Sequence, residues 1–198
     1  AYGKNKYVAL ANSNNSVSVG TYNSIANTWA WEHVIMDVID DSTQKNWTSI
    51  AYGNNRFVAI SSEGSVGYSF EPGSAWYGAR LPVVTNMSWR SISYGQGVFT
   101  AVGQISTPVV DAEPTLTPTT VSATSYDGIV WTVRTLANEL NWKASAFGNP
   151  DISLGDSTLT NSSPMWVAIS DDVTSVANRI VTGARTIGRC IVEGGLIK

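Results

Sequence analysis

Reactive side chains are scarce in this chain. It has one histidine, His33, and one cysteine, Cys190, in 198 residues. A lone cysteine excludes an internal disulfide and has no companion for a paired-cysteine metal or redox motif. A Ser-His-Asp triad would have to recruit His33, and no Gly-x-Ser-x-Gly elbow exists to present the nucleophile. Charged residues make up only 14% of the chain, with a formal net charge of −3, so the basic footprint of a nucleic-acid binder is missing. Apolar residues reach 43%, too many for a disordered chain. No apolar run approaches the ~18 residues of a membrane-spanning helix, so no membrane insertion is expected. No residue is nominated for catalysis, and none for a metal or cofactor.

Tryptophan, in contrast, is plentiful: there are eight. Serine, threonine, asparagine and glycine separate short apolar runs, the pattern of a β-rich, turn-rich protein. The runs also repeat. "WTSIAYGNNRFVAIS" (Trp47 to Ser61) returns as "WRSISYGQGVFTAVG" (Trp89 to Gly103). An aromatic–Val/Thr–Ala–aliphatic quartet begins at Tyr7, Phe57, Phe99 and Trp166. An aromatic–glycine pair precedes each: Tyr2-Gly3, Tyr52-Gly53, Tyr94-Gly95 and Phe147-Gly148. Trp47, Trp89 and Trp142 each stand five residues before their pair.

As strands, these segments have a period of two. Trp47, Ser49 and Ala51 then share one face, and Ile50 and Tyr52 the other. Both faces look buried. Gly53–Asn55 and Gly95–Gly97 supply turn residues for a hairpin whose return strand is the quartet. A third and a fourth strand follow, the fourth entered at a tryptophan: Trp31, Trp76 or Trp131. Asp127-Gly128 is a type I′ turn signal between them. The expected fold is all-β: a propeller-like array of four-stranded antiparallel blades, about three and a half repeats in residues 1–170, followed by a short β-hairpin tail. The approximate copies are 1–46, 47–88, 89–141 and 142–170. Residues 171–198 read as a β-rich segment that starts a further module, and the whole as a piece of a longer polypeptide.

Ser69-Phe-Glu71-Pro-Gly73-Ser-Ala-Trp76 resembles the Asp-box of sialidase-like propellers, Ser-x-Asp-x-Gly-x-Thr-Trp, with Glu71 in the aspartate place. Ser125-Tyr-Asp127-Gly128-Ile-Val-Trp131 is a version one residue shorter, and Tyr22 to Trp29 a weaker one. The resemblance implies a structural turn whose carboxylate accepts backbone N–H groups and whose tryptophan packs between blades. The fuller pattern is similar to repeats of large virion proteins of tailed bacteriophages, the marine cyanobacterial phages among them. The end, Ala184 to Lys198, resembles β-hairpin modules that follow such repeats. The likeness implies a non-enzymatic structural protein of tail, baseplate or fibre, located in the virion after assembly in the host cytoplasm. Its implied partners are other virion proteins in an oligomeric assembly and a host surface glycan. The alternative is a carbohydrate-active or carbohydrate-binding propeller of the sialidase type.

Residues recurring at one offset are assigned to packing: Trp47, Trp89, Trp142, Trp76 and Trp131, with Gly53, Gly95, Gly148, Asp127 and Gly128 at the turns. Trp29 and Tyr77 break the pattern and are the candidate exposed contacts. Glu32 to Gln44 joins the first two copies and includes His33 and an acidic cluster, Asp37, Asp40 and Asp41. That spacing lacks the order of a calcium loop. Gln104 to Thr120 and Asn149 to Pro164 read as inserted loops. A glycosidase would need two carboxylates at a fixed separation, and the sequence nominates no such pair. Of the seven arginines none lies in a sialidase motif, and Arg56 reads as a surface position.

Overall fold

The computed structural model describes residues 1–11, 15–36, 38, 45–105, 121–135, 142–148 and 165–170. Every regular element among them is a β-strand. The first sheet contains β1 (Tyr2–Gly3), β2 (Lys6–Leu10), β3 (Ser16–Asn23) and β4 (Thr28–Ile35). The second contains β5 (Trp47–Gly53), β6 (Arg56–Ser61), β7 (Ser65–Ser69) and β8 (Tyr77–Arg80). The third contains β9 (Met87–Gly95), β10 (Val98–Ile105), β11 (Val121–Ser125) and β12 (Thr132–Thr135), and the fourth β13 (Trp142–Gly148) and β14 (Met165–Ser170). Each is an antiparallel meander in which sequence neighbours pair. The inserted loops, the acidic residues Asp37, Asp40 and Asp41, and the C-terminal segment with Cys190 lie outside the described residues.

Three two-residue turns close the first hairpins. Lys4-Asn5, Asn54-Asn55 and Gln96-Gly97 all have positive φ, as a type I′ turn requires at both central positions. Gly53 and Gly95 are not themselves turn residues: they end their strands, paired with Arg56 and Val98. Their glycine identity has another cause. A Cβ on Gly3 would lie 2.2 Å from the ring of Tyr52, one on Gly53 2.0 Å from Tyr94, and one on Gly95 2.0 Å from Phe147. The aromatic of each sheet thus lies on the glycine of the sheet before it, where any side chain would collide.

The strict two-residue alternation fails at the start of β5, β9 and β13. Trp47 pairs with Ser61 but Ser49 with Ile60, leaving Thr48 as an extra residue. Arg90 and Lys143 are skipped in the same way. A bulge re-aims the side chains that precede it. Trp47 therefore joins Ile50 and Tyr52 against the first sheet, while Ala51 faces the third. Trp89 likewise packs with Ile92 and Tyr94, and Trp142 with Phe147. The expectation that these tryptophans share a face with the small residues is corrected.

Each joint between sheets has its own core. Val8, Val17 and Val19 meet Trp47, Phe57, Ala59 and Trp76 at the first. Val58, Ile60 and Val66 meet Trp89, Ile92, Phe99 and Trp131 at the second. Val102 meets Trp142 and Trp166 at the third. Burial of this apolar area at both faces of a sheet is the main stabilising term.

The first strand of each four-stranded sheet is an edge, with backbone groups that its own sheet leaves unpaired. At two joints a serine from the preceding sheet satisfies such groups. Ile92 N–H donates to Ser49 Oγ at 3.1 Å, and the Ser49 hydroxyl donates to Ile92 O at 3.5 Å. One joint later, Ser145 N–H donates to Ser91 Oγ at 3.0 Å. The serines that looked merely small in sequence are cross-links between sheet edges.

Candidate functional site

The loops between third and fourth strands do not form a two-residue hairpin. Thr124 pairs with Thr132, so Asp127-Gly128 sits in a longer loop, and only Gly128 has positive φ. The type I′ expectation is corrected, because the aspartate organises a wider turn. Its Oδ1 accepts N–H bonds from Ile129 and Val130, both at 2.9 Å, and the Ser125 hydroxyl at 2.9 Å. Partial burial acts to raise the Asp127 pKa. The hydrogen bonds from Ile129, Val130 and Ser125, with the Arg56 charge, outweigh it and hold the carboxyl below its ordinary value. Trp131 closes the loop by donating its indole N–H to Gly128 O at 3.2 Å. A Cβ on Gly128 would lie 2.6 Å from Val58 of the second sheet.

Glu71 stands in the equivalent place and acts differently. Its carboxylate pairs with Lys6 of the first sheet. The loop is closed instead by Ser69, whose hydroxyl donates to Ala75 O at 2.6 Å and accepts Glu71 N–H at 3.1 Å. Trp76 donates to Pro72 O at 3.1 Å. The first sheet has no such loop. Tyr22 pairs with Trp29 and Asn23 with Thr28, so the strands run on to a short turn, and the Asp-box likeness of Tyr22 to Trp29 does not extend to its geometry.

These loops are clasped by the hairpin turn of the preceding sheet. Lys4 Nζ donates to Phe70 O at 2.7 Å, and Asn54 Nδ2 to Tyr126 O at 3.0 Å. Arg56 Nη1 donates to Asp127 O at 2.7 Å and its guanidinium lies over the Phe70 ring. Arg56 is thus a joint residue, which sequence comparison of the copies had placed on the surface. Of its matched positions, Lys6 grips a carboxylate and Val98 has an apolar side chain.

Trp47, Trp76, Trp89, Trp131 and Trp142 are all buried. Gly53 and Gly95 lie beneath rings, and Gly148 is exposed, with no described atom within 4 Å of where its Cβ would stand. Trp29 and Tyr77 are exposed but lie in different sheets, in separate aromatic groups. Tyr77 stacks on Tyr68 at 5.4 Å between centroids.

Trp29 belongs to a larger exposed feature, the outer face of the first sheet. Tyr7, Gly20 and Trp31 lie in register across β2, β3 and β4, and Tyr2 pairs with Tyr7. Ring centroids run 4.6 Å from Tyr2 to Tyr7, 5.0 Å from Tyr7 to Trp29, 5.2 Å from Trp29 to Tyr22 and 6.4 Å from Trp29 to Trp31. Gly20 lets Trp31 lie flat, since a Cβ there would meet the indole at 2.9 Å. Trp31 is 57% exposed and Tyr2 53%. His33 and Ile35 extend the same face of β4, so His33 belongs to a strand and not to the connecting loop expected for it. Sequence reasoning singled out Trp29 but missed Tyr2, Tyr7 and Trp31 as its neighbours. The signal available was the alternation of Trp29, Trp31 and His33, which puts all three on one face.

This surface offers flat π-faces and no cluster of charge. Among the described residues no group of three His, Cys, Asp or Glu side chains is placed to hold a metal ion. No protein-family model matches the chain, and no curated protein matches it.

Proposed function

We propose that this chain is a non-enzymatic structural module, a propeller-like stack of blades in a virion protein of a tailed bacteriophage, working in assembly and surface contact. The observation that carries the structural part is repetition of the joints. The same three devices recur from sheet to sheet: a ring on a glycine, a serine on an edge strand, and a turn residue clasping the next loop. Their first strands run side by side, β5 against β9 and β9 against β13, the arrangement blades take around an axis. The motif-bearing carboxylates serve those joints: Glu71 holds Lys6, and Asp127 holds its own loop. Hydrolysis would ask such groups to act as acid and nucleophile across one bond. The virion assignment draws on the resemblance of the repeat pattern.

Incubating the purified chain with a broad panel of labelled sialosides and bacterial surface polysaccharides tests the reading. No turnover is expected. Turnover that vanishes on replacing one particular Asp or Glu would overturn it and establish a hydrolase. Locating the chain by electron microscopy in an intact particle tests the virion assignment.

Carbohydrate binding is a second reading, favoured by the exposed rings of Tyr7, Trp29 and Trp31, whose faces suit stacking on sugars. A glycan array decides it: binding that disappears in Trp29→Ala supports it.

A further inference from the structure

The joint between third and fourth sheets is built like the joint before it, but hydroxyls line it. Strand register matches the two joints position by position. Tyr94 pairs with Phe99 as Phe147 does with Trp166, and Ile92 with Ala101 as Ser145 does with Ala168. On the earlier sheet of each joint, Val58 pairs with Tyr68 and Ile60 with Val66, as Thr100 does with Thr124 and Val102 with Ser122. Phe99, Ala101 and Ala123 face the second sheet, so Thr100, Val102, Ser122 and Thr124 face the fourth. The second joint therefore has Val58, Val66, Tyr68 and Ile92 where the third has Thr100, Ser122, Thr124 and Ser145. Ser93 stands in the same way where Ala51 stands. Some of these hydroxyls find each other: Ser145 Oγ lies 2.8 Å from Ser93 Oγ and 3.3 Å from Ser91 Oγ. Thr100 Oγ1, Ser122 Oγ and the indole nitrogens of Trp142 and Trp166 are buried and have no hydrogen-bond partner among the described residues. Thr100 and Ser122 are 0% exposed, and Trp142 and Trp166 1%. Buried polar groups without partners are costly, and the second joint packs with valine at both hydroxyl positions, so packing does not require them.

We infer that the third joint is a binding site for ordered water, with one water bridging Thr100 Oγ1 and Trp166 Nε1 and further water holding Ser122 Oγ and Trp142 Nε1. Thr100 and Trp166 are neighbours by the logic of the repeat. Val58 and Phe99, which they match, both lie against Gly128, 2.6 Å and 3.5 Å from where its Cβ would stand. Water suits the groups on offer. An indole N–H only donates, a hydroxyl donates and accepts, and water can answer both. The site is sealed, so its ligand must be small. A buried water needs about two to four polar partners, and this joint supplies hydroxyls and indoles from facing sheets. Thr124 and Ser145 are smaller than the Tyr68 and Ile92 they match, which leaves room that the larger ring of Trp166 takes up only in part. The inference does not rest on the functional reading above.

A crystal structure of the native chain, at a resolution that shows single waters, tests this. Density is expected within about 2.7–3.2 Å of both Thr100 Oγ1 and Trp166 Nε1, and within the same reach of Ser122 Oγ and Trp142 Nε1. In solution, the indole proton of Trp166 should give a nuclear magnetic resonance cross-peak to long-lived water. That of Trp131, which donates to Gly128 O, should give none. Thr100→Val with Ser122→Val restores the residues of the second joint, and should abolish both the density and the Trp166 cross-peak. Thr100→Val alone, which conserves shape, should abolish the cross-peak too. Arg134 pairs with Ser122 and brings a positive charge to the same face, so an anion is the competing occupant. Crystals grown in bromide separate the two: anomalous signal from bromide at the site overturns the inference. So does an atom of the chain itself bonded to Thr100 Oγ1 and Trp166 Nε1 in place of water. A native joint without density there, or a water signal unchanged in the valine variants, overturns it as well.

Discussion

Gly53→Ala separates packing from propensity more cleanly than any other single change. On propensity alone the substitution should help, because glycine inside a strand costs roughly 0.5–1 kcal/mol relative to alanine. Gly53 does not have positive φ, so the backbone raises no objection. The objection comes from the next sheet: the new methyl would stand 2.0 Å from Tyr94 Cγ and 2.2 and 2.3 Å from the flanking ring carbons. Carbon atoms rest about 3.5–4.0 Å apart. Tyr94 must therefore leave its seat, or β9 must retreat by about 1.5 Å along the whole joint. Overpacking of this kind costs roughly 1–3 kcal/mol. Because retreat also loosens Trp89 and Phe99, we expect a net loss of about 1–3 kcal/mol, or a melting point lower by about 2–12 °C at this chain length. The assay is thermal and urea unfolding at concentrations where the chain is monomeric, with Gly148→Ala as the matched control. Among the described residues that control meets no atom within 4 Å, and it should be neutral or slightly stabilising. A cycle with Tyr94→Ala should return a coupling of about 1–2 kcal/mol, the double variant costing less than the sum. Gly53→Ala as stable as Gly148→Ala, or a cycle without coupling, would refute the account of the joints.

Other variants probe the remaining devices. Trp89→Ala and Trp131→Ala should each cost about 3–5 kcal/mol in chemical denaturation, since each leaves a large cavity between second and third sheets. Ser49→Ala should cost about 1–3 kcal/mol by stranding Ile92 N–H at a sheet edge, whereas Ala144→Ser should change stability little. Asp127 gives a pH signature: its folded pKa lies below the unfolded value, so its contribution is complete above the ordinary carboxylate pKa and fades as pH falls through the folded one. Asp127→Asn should therefore be less stable than the native chain at neutral pH and should converge with it in acid, as measured by melting temperature against pH. Parallel curves down to the most acidic pH would show that the carboxylate charge does not matter there.

The amino-acid sequence by itself determined the repeat, the antiparallel character and the places of the hairpins. Those features are local: turn chemistry at Asn54-Asn55 and Gln96-Gly97 and apolar runs of strand length act within a few residues of each other. It also determined that Trp47, Trp89 and Trp142 are packing residues, because recurrence at one offset is visible without coordinates. The tertiary structure alone decided which way those tryptophans point, since the bulges at Thr48, Arg90 and Lys143 have no residue signature and reverse the face that simple alternation assigns. The real duties of Gly53, Ser49 and Arg56 were hidden for a related reason. Each is defined by an atom in a neighbouring sheet, 41, 43 or 71 residues away in the chain: the ring of Tyr94, the N–H of Ile92 and the carbonyl of Asp127. The ring face of the first sheet was half legible. Trp29 stood out because it broke the repeat, while Tyr2 and Tyr7 obeyed it and were noted only as repeat positions. They obey it in sequence and are exposed in the structure, because burial depends on what packs against a face and the residue pattern describes the face alone.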